Sequence, residues 1–335
     1  MPAILTSTQT GRREDLADII WLAGVTETPL FSMARKGKRL DNVQLASYQV
    51  KQLGTRKSGG VTDGLDFGVG DVDPPRALIS YRGEVWRRQP QVGFIAEGNI
   101  VAGVVSEFSE AVIDQSIEHR KDIEKELFSS QDSQDDTGAG SLTRGLDKWI
   151  NDGTTPGFST ELPVPVAFQT PTAQIYSATL GNGFSTGLTE TVFTAMAQNR
   201  WDKFGMSNEL TGFVGVDVQN LFNGWTRYDP AGAGSSTARV RTMTTEYEAG
   251  EYWGPSVEVI RTQWGTFTIM PVNTEYLINS KRGYFLDMQQ IELRPREMLK
   301  EVPLIDSGGG PREGIQSILG LVPGDPRSHI KVVGS

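Results

Sequence analysis

Few residues in this 335-residue chain could do covalent chemistry. Gly183-Phe184-Ser185-Thr186-Gly187 matches the G-x-S-x-G pattern of a nucleophile elbow, between an expected strand and an expected helix. A serine nucleophile needs a histidine to take its proton and an acid to orient that histidine. The chain has only two histidines, His119 and His329. In the chain order of such enzymes only His329 could serve, with Asp287 or Asp306 as the orienting acid. A serine hydrolase using Ser185 is therefore one reading. The simpler one is a Ser/Thr/Gly turn entering a helix, because short motifs arise readily in a chain with 38 glycines. The acidic run Asp63, Asp66, Asp71 and Asp73 could hold a divalent cation, but its spacing departs from the calcium loop and reads as a solvated loop tip.

Other chemistries fall to composition. Cysteine is absent, which removes disulfides, thiol nucleophiles and cysteine zinc sites. With two histidines a multi-histidine metal site is nearly excluded. No phosphate-binding loop and no dinucleotide fingerprint occurs. No metal and no cofactor is expected. The net charge of −9 offers no overall attraction to nucleic acid or to an anionic membrane. The longest apolar run, Ile19 to Val25, is too short to span a bilayer, and no secretory leader is visible. A soluble, cytoplasmically made protein with little catalytic equipment is expected. Its 37% hydrophobic content suffices for a core.

The elements that would position any site are a mixture of helices and strands. Residues 1–41 read as an arm, with an amphipathic stretch from Arg13 to Val25 that is broken before Pro29. The basic cluster Arg35, Lys36, Lys38 and Arg39 follows. Residues 42–87 read as one long hairpin, with Asn42–Leu53 going out and Arg76–Arg88 returning. Its tip is dense in Gly and Asp and has no apolar periodicity to hold it to a core. The best helix spans Ser106 to Phe128, with Ser106 as N-cap and Glu107 and Glu110 in the first turns. Val105, Phe108, Val112, Ile123 and Leu127 fall near one face, and His119 is placed on the polar part. An acidic linker ends it, before the ordered-looking segment Leu142–Ile150.

The second half predicts a strand at Gln174–Leu180, a helix at Leu188–Trp201, and a buried strand at Gly212–Val216. A short helix opened by Asp217 is expected to stop at Gly224. A hairpin is expected around Gln263-Trp264-Gly265, and a further strand at Leu286–Leu293. The fold class is α+β, without the βαβ regularity of a doubly wound enzyme.

The order of these parts resembles tailed-bacteriophage major capsid proteins of the Hong Kong 97-like fold. Thr28-Pro29-Leu30-Phe31, the spine helix, Gly145-Leu146-Asp147-Lys148-Trp149-Ile150 and Trp264-Gly265-Thr266-Phe267 carry the resemblance. It implies an N-terminal arm (1–41) and an extended loop (42–87) lying over a neighbouring subunit through Lys51, Arg56, Lys57, Asp63 and Asp66. It implies a peripheral domain (88–150) with the spine helix at 106–128, an axial domain (151–265), and a return to the peripheral domain in 266–335. The implied function is non-enzymatic self-assembly through pentamers and hexamers into an icosahedral head shell around double-stranded DNA, contacted without sequence specificity. Scaffolding, portal and decoration proteins are the implied partners, no membrane is involved, and the location is the virion after synthesis in the bacterial host cytoplasm. Arg12, Arg13, Arg35, Lys36, Lys38 and Arg39 would form an interior basic patch. A shell of the same fold around cargo enzymes, an encapsulin-like nanocompartment, is the alternative within the fold. Lys51 and Lys57 lie in the loop, but neither a catalytic Glu nor a partner Asn for covalent cross-linking can be assigned.

Overall fold

The structure is a computed structural model. It describes residues 26–54, 59, 62–64, 66, 74, 76–99, 106–138, 140–154, 158, 161–178, 187–204, 209–226, 258–306 and 308–334. The elements in chain order are α1 (Pro29–Met33), β1 (Arg35–Lys36), β2 (Ala46–Val50), β3 (Ala77–Tyr81), β4 (Glu84–Arg88), α2 (Phe94–Glu97), α3 (Glu107–Leu127) and α4 (Leu146–Trp149). They continue with β5 (Ile175–Ala178), α5 (Glu190–Phe204), β6 (Glu209–Val214), α6 (Val216–Thr226), β7 (Val259–Thr262), β8 (Gly265–Pro271), β9 (Arg282–Leu286), β10 (Glu292–Pro303), β11 (Glu313–Val322) and β12 (Ile330–Gly334).

The spine helix α3 starts where its cap residue dictates. Ser106 is extended, and its hydroxyl accepts the Ser109 N–H at 3.2 Å. Glu97 at the end of α2 strengthens this start by accepting from the Ser106 hydroxyl and from the Phe108 N–H, both at 2.8 Å. Ile123 and Leu127 are buried as their spacing requires. His119 is a correction. It is fully buried rather than on a polar face, and its Nε2 lies 2.9 Å from the Ser317 hydroxyl on β11. Seven residues from Val112 and four from Ile123, it belongs to the apolar stripe.

The long hairpin is shorter than expected. β2 and β3 pair antiparallel from Ala46 opposite Tyr81 to Val50 opposite Ala77. The return strand then breaks at Gly83, whose N–H donates to the Val43 carbonyl at 2.8 Å, and β4 leaves to pair with β11. Glu84 and Trp86 alternate into the body, and Trp86 joins the main core. A strand of this pattern buries more beside a four-stranded sheet and a helix than in an isolated ribbon.

Two sheets organise the rest. The first has the order β1-β10-β11-β4, and the second the order β5-β12-β9-β6-β8-β7. The second sheet is packed on both faces, which its period-two side chains allow. Tyr284, Leu286 and Phe213 point into the main core with the spine. There Phe128 stacks 5.7 Å from Tyr284 and 5.8 Å from Phe213. Phe285 and Val214 point the opposite way, into a second core with Phe193, Val218 and Phe222 of α5 and α6.

The strands of residues 266–334 divide between the two sheets. β8, β9 and β12 hydrogen-bond within the second sheet, and β10 and β11 alone lie in the first. The strand expected at Leu286–Leu293 is instead a turn. Asp287 accepts the Gln289 N–H at 3.1 Å and the Gln290 N–H at 3.0 Å, so β9 and β10 part into different sheets. The helix expected to stop at Gly224 runs on to Thr226, and the hairpin around Trp264 forms as β7–β8.

Candidate assembly surfaces

The arm enters the body through one buried carboxylate. Pro29 opens α1, and the next two N–H groups, of Leu30 and Phe31, donate to Glu124 of the spine at 2.8 and 2.7 Å. Burial pushes the Glu124 carboxyl up to about 7, against the pull of these two donors and of Lys36. Lys36 donates to the Phe31 carbonyl at 2.6 Å and lies 4.2 Å over the Phe31 ring, and burial lowers its pKa. Arg35 pairs with Glu292. Lys38 and Arg39 are exposed, with no ion pair among the described residues. Of the six cations expected to form a basic patch, Arg12 and Arg13 lie outside the described residues. Two of the other four are occupied in holding the arm.

The hairpin base is firmly seated. Ala46, Tyr48 and Val50 pack toward the main core, with Tyr48 at 6.1 Å from Tyr81 and the Arg294 guanidinium over both rings. Arg82 donates to the Gln44 carbonyl at 3.0 Å, and Arg327 to Gln52 at 3.0 Å. The other face is open. Ser47, Gln49 and Leu78 are exposed, as are Leu45 and Leu53 at its ends. Lys51, Asp63 and Asp66 are exposed, whereas Arg56 and Lys57 lie outside the described residues. A two-stranded ribbon with one exposed face, mixed in Ser47, Gln49 and Leu78, has little burial of its own.

The joint between the two sheets is a set of buried charges invisible to periodicity. Arg144 is fully buried, donates to Asp132 and to the Leu162 carbonyl at 2.6 Å each, and lies 4.7 Å from the Trp149 ring. Asp147 of α4 accepts from Arg282 at 2.6 Å and from the Tyr284 hydroxyl at 3.0 Å, while Lys331 donates to the Asp147 carbonyl at 2.6 Å. Thus the Gly145–Ile150 segment ties β9 and β12 to the spine lobe. Glu84 belongs to the same wall, accepting from the Thr143 N–H and from Gln131, and burial pushes its carboxyl up to about 7. The only sequence signal for these groups was helical spacing, which puts Glu124 three residues from Leu127 on the inner face.

The hydrolase reading fails on His329. The side chain is fully buried, Nδ1 accepts the Asp287 N–H at 3.1 Å, and Nε2 lies 2.9 Å from the Pro323 carbonyl, which only accepts. Both ring nitrogens are committed to backbone, so neither can take a serine proton. Burial drives its pKa down to about 4. Asp306 caps its own exposed turn at Gly308. Ser185 itself, like Asp71 and Asp73, lies outside the described residues. Among the described residues no group of three metal-ligating side chains converges, and no helix is long and apolar enough to cross a membrane.

The fold just described recurs in solved capsid structures. The cyanophage A-1(L) capsid subunit superposes with a TM-score of 0.59 at 13% identity, covering 99% of both chains. The capsid protein of cyanophage P-SCSP1u gives 0.60 at 10% identity, covering 99% of this chain and 97% of that one. The capsid subunit of a native GTA particle gives 0.58 at 9% identity, covering 98% of both. At such identities these likenesses establish the Hong Kong 97-like α+β fold. No curated protein sequence matches the chain. The family model described as the SU10 major capsid protein, however, matches residues 3–335, which is nearly every residue. The chain therefore belongs to the SU10 major capsid protein family.

Proposed function

We infer that many copies of this chain close, through pentamers and hexamers, into the icosahedral head shell of a tailed bacteriophage that encloses double-stranded DNA. The observation that carries this reading is the family match over residues 3–335. It selects a viral shell over the nanocompartment shell of the same fold, and a structural role over catalysis. The physical form of the subunit agrees. A hairpin with one solvent-exposed face gains burial from a neighbour, and heterologous contacts that close into rings generate shells.

Within that shell, residues 42–81 act as the extended loop over a neighbouring subunit, with Lys51, Arg56, Lys57, Asp63 and Asp66 at the contact. The spine and the first sheet form the peripheral part, and the second sheet with α5 and α6 the axial part around ring centres. The net charge of −9 suits a container that packs DNA without holding it. Arg12, Arg13, Lys38 and Arg39 are the cations left to face the interior. Scaffolding, portal and decoration proteins are the candidate partners of such a shell.

The test is negative-stain electron microscopy with light scattering on the purified chain, alone and with the scaffolding protein of its own virus. Closed shells, or free pentamers and hexamers, are expected. A chain that stays monomeric in both preparations overturns the reading. For the basic patch, Lys38→Glu and Arg39→Glu together with Arg12→Glu and Arg13→Glu should lower the yield of filled particles. An unchanged yield refutes the patch alone.

A further inference from the structure

The joint between the two sheets buries more positive charge than negative. The side chains of Arg144, Lys148, Arg282 and Lys331 are 0%, 8%, 14% and 7% exposed. Two carboxylates face them, and each is shared between two cations. Asp132 has Arg144 at 2.6 Å and Lys148 at 3.8 Å, and Asp147 has Arg282 at 2.6 Å and Lys331 at 3.6 Å. Asp152 also acts on Lys331, but it is half-buried and both its oxygens accept from Thr154 and Thr172. Even with Asp152 included, four cations stand against three acids. Burial lowers the pKa of both Arg144 and Lys331, but an arginine keeps its charge in a protein, so the surplus at Arg144 stays.

Unanswered donors lie at the same place. Arg144 spends Nε on Asp132 and Nη2 on the Leu162 carbonyl, while its Nη1 has no acceptor among the described residues. The guanidinium lies 4.7 Å from the centre of the Trp149 ring and 5.1 Å from that of Phe158. Trp149 is fully buried, and its Nε1, which can only donate, is also without an acceptor. The buried Tyr48 hydroxyl on the hairpin base is unpartnered as well; burial keeps its proton on, and Arg144 is among the charges acting on it. Buried donors without an acceptor are costly. A water takes such donors but brings no charge. A small anion takes the same N–H groups and answers the surplus too. We propose that Arg144 Nη1 and Trp149 Nε1 hold a small monovalent anion of the halide class, which pins the Gly145–Ile150 segment between the two lobes. The ion is small because neither residue has exposed surface, and monovalent because one cation is in surplus. Aromatic walls make dehydration the main cost, which favours chloride or bromide over the strongly hydrated fluoride.

The test follows thermal unfolding of the purified, unassembled chain as sodium bromide replaces sodium fluoride at constant ionic strength. Tm should rise by roughly 2–4 °C and level off as the site fills. General salt effects run the other way, because strongly hydrated anions are the ones excluded from protein surfaces. Trp149→Phe keeps the ring under Arg144 and loses the donor, so most of the rise should vanish with it. Crystals of the full chain grown from sodium bromide should show an anomalous bromine peak in contact with Arg144 Nη1 and Trp149 Nε1. A water at that position in place of bromide, no peak there, or a bromide response that Trp149→Phe leaves unchanged overturns the proposal. Where Trp149→Phe fails to fold, the peak in the wild-type chain decides alone.

Discussion

Replacing Glu124 by Gln should make the subunit more stable than the wild type as the pH rises, although the change removes a charge that accepts two backbone donors. The carboxyl is pushed from 4.5 up to about 7 by burial. An acid whose folded-state pKa is raised binds its proton more tightly folded than unfolded. Stability is then greatest below pH 4.5, falls between 4.5 and 7, and stays flat above. The difference of two to three pKa units corresponds to about 3 kcal/mol. Below pH 5 the protonated acid can still accept from both Leu30 and Phe31, whereas the amide NH2 can accept from neither, so the variant should start somewhat below the wild type. Above pH 7.5 the wild type carries a buried anion and the variant does not.

The readout is the difference in Tm between the two proteins, measured by calorimetry on unassembled subunits from pH 5 to 8. The absolute curve would mislead, because His329 acts with the opposite sign. Its folded pKa of about 4 lies below the ordinary value, so its contribution is present above pH 6.5 and is lost as pH falls through 4. Subtracting the variant from the wild type cancels that group and all others distant from Glu124. Glu124→Gln should gain a few degrees on the wild type across the range. A difference that stays constant, or runs the other way, would show that the two N–H donors and Lys36 outweigh burial and keep the carboxylate charged throughout.

Other outcomes follow from the same geometry. Arg144→Lys should cost about 3 kcal/mol in thermal unfolding, because an ammonium cannot serve Asp132 and the Leu162 carbonyl together while stacking on Trp149; equal Tm values would refute this. Gly145→Ala should yield insoluble chain, since its Cβ would stand 2.1 Å from the Ser129 carbonyl oxygen. Gly224→Ala, in open space inside α6, should stabilise by roughly 0.5–1 kcal/mol, and solubility with denaturant melts separates the two. Ser185→Ala should leave shell assembly unchanged and abolish no esterase activity; loss of a measurable activity would revive the hydrolase.

How far the sequence reaches can be seen residue by residue. Local rules sufficed where the signal was local. The Ser106 cap, the Ile123 and Leu127 stripe, and the hairpin at Trp264 all lie within a few residues of what determines them, and each forms where expected. The ordered sequence of parts was enough for the fold family, because it depends on lengths and breaks rather than on contacts. Other features depended on residues far apart in the chain. Whether Glu84–Arg88 continues the hairpin or joins β11 is a competition between two partners, and the choice is made by burial against α3. β12 enters the second sheet between β5 and β9, with Lys331 opposite both Ile175 and Tyr284, so no local spacing predicts it. The buried charges are the clearest case. Glu124, Arg144 and Asp147 look like surface residues by type, and only the tertiary structure supplies the distant donors and acceptors that make their burial tolerable.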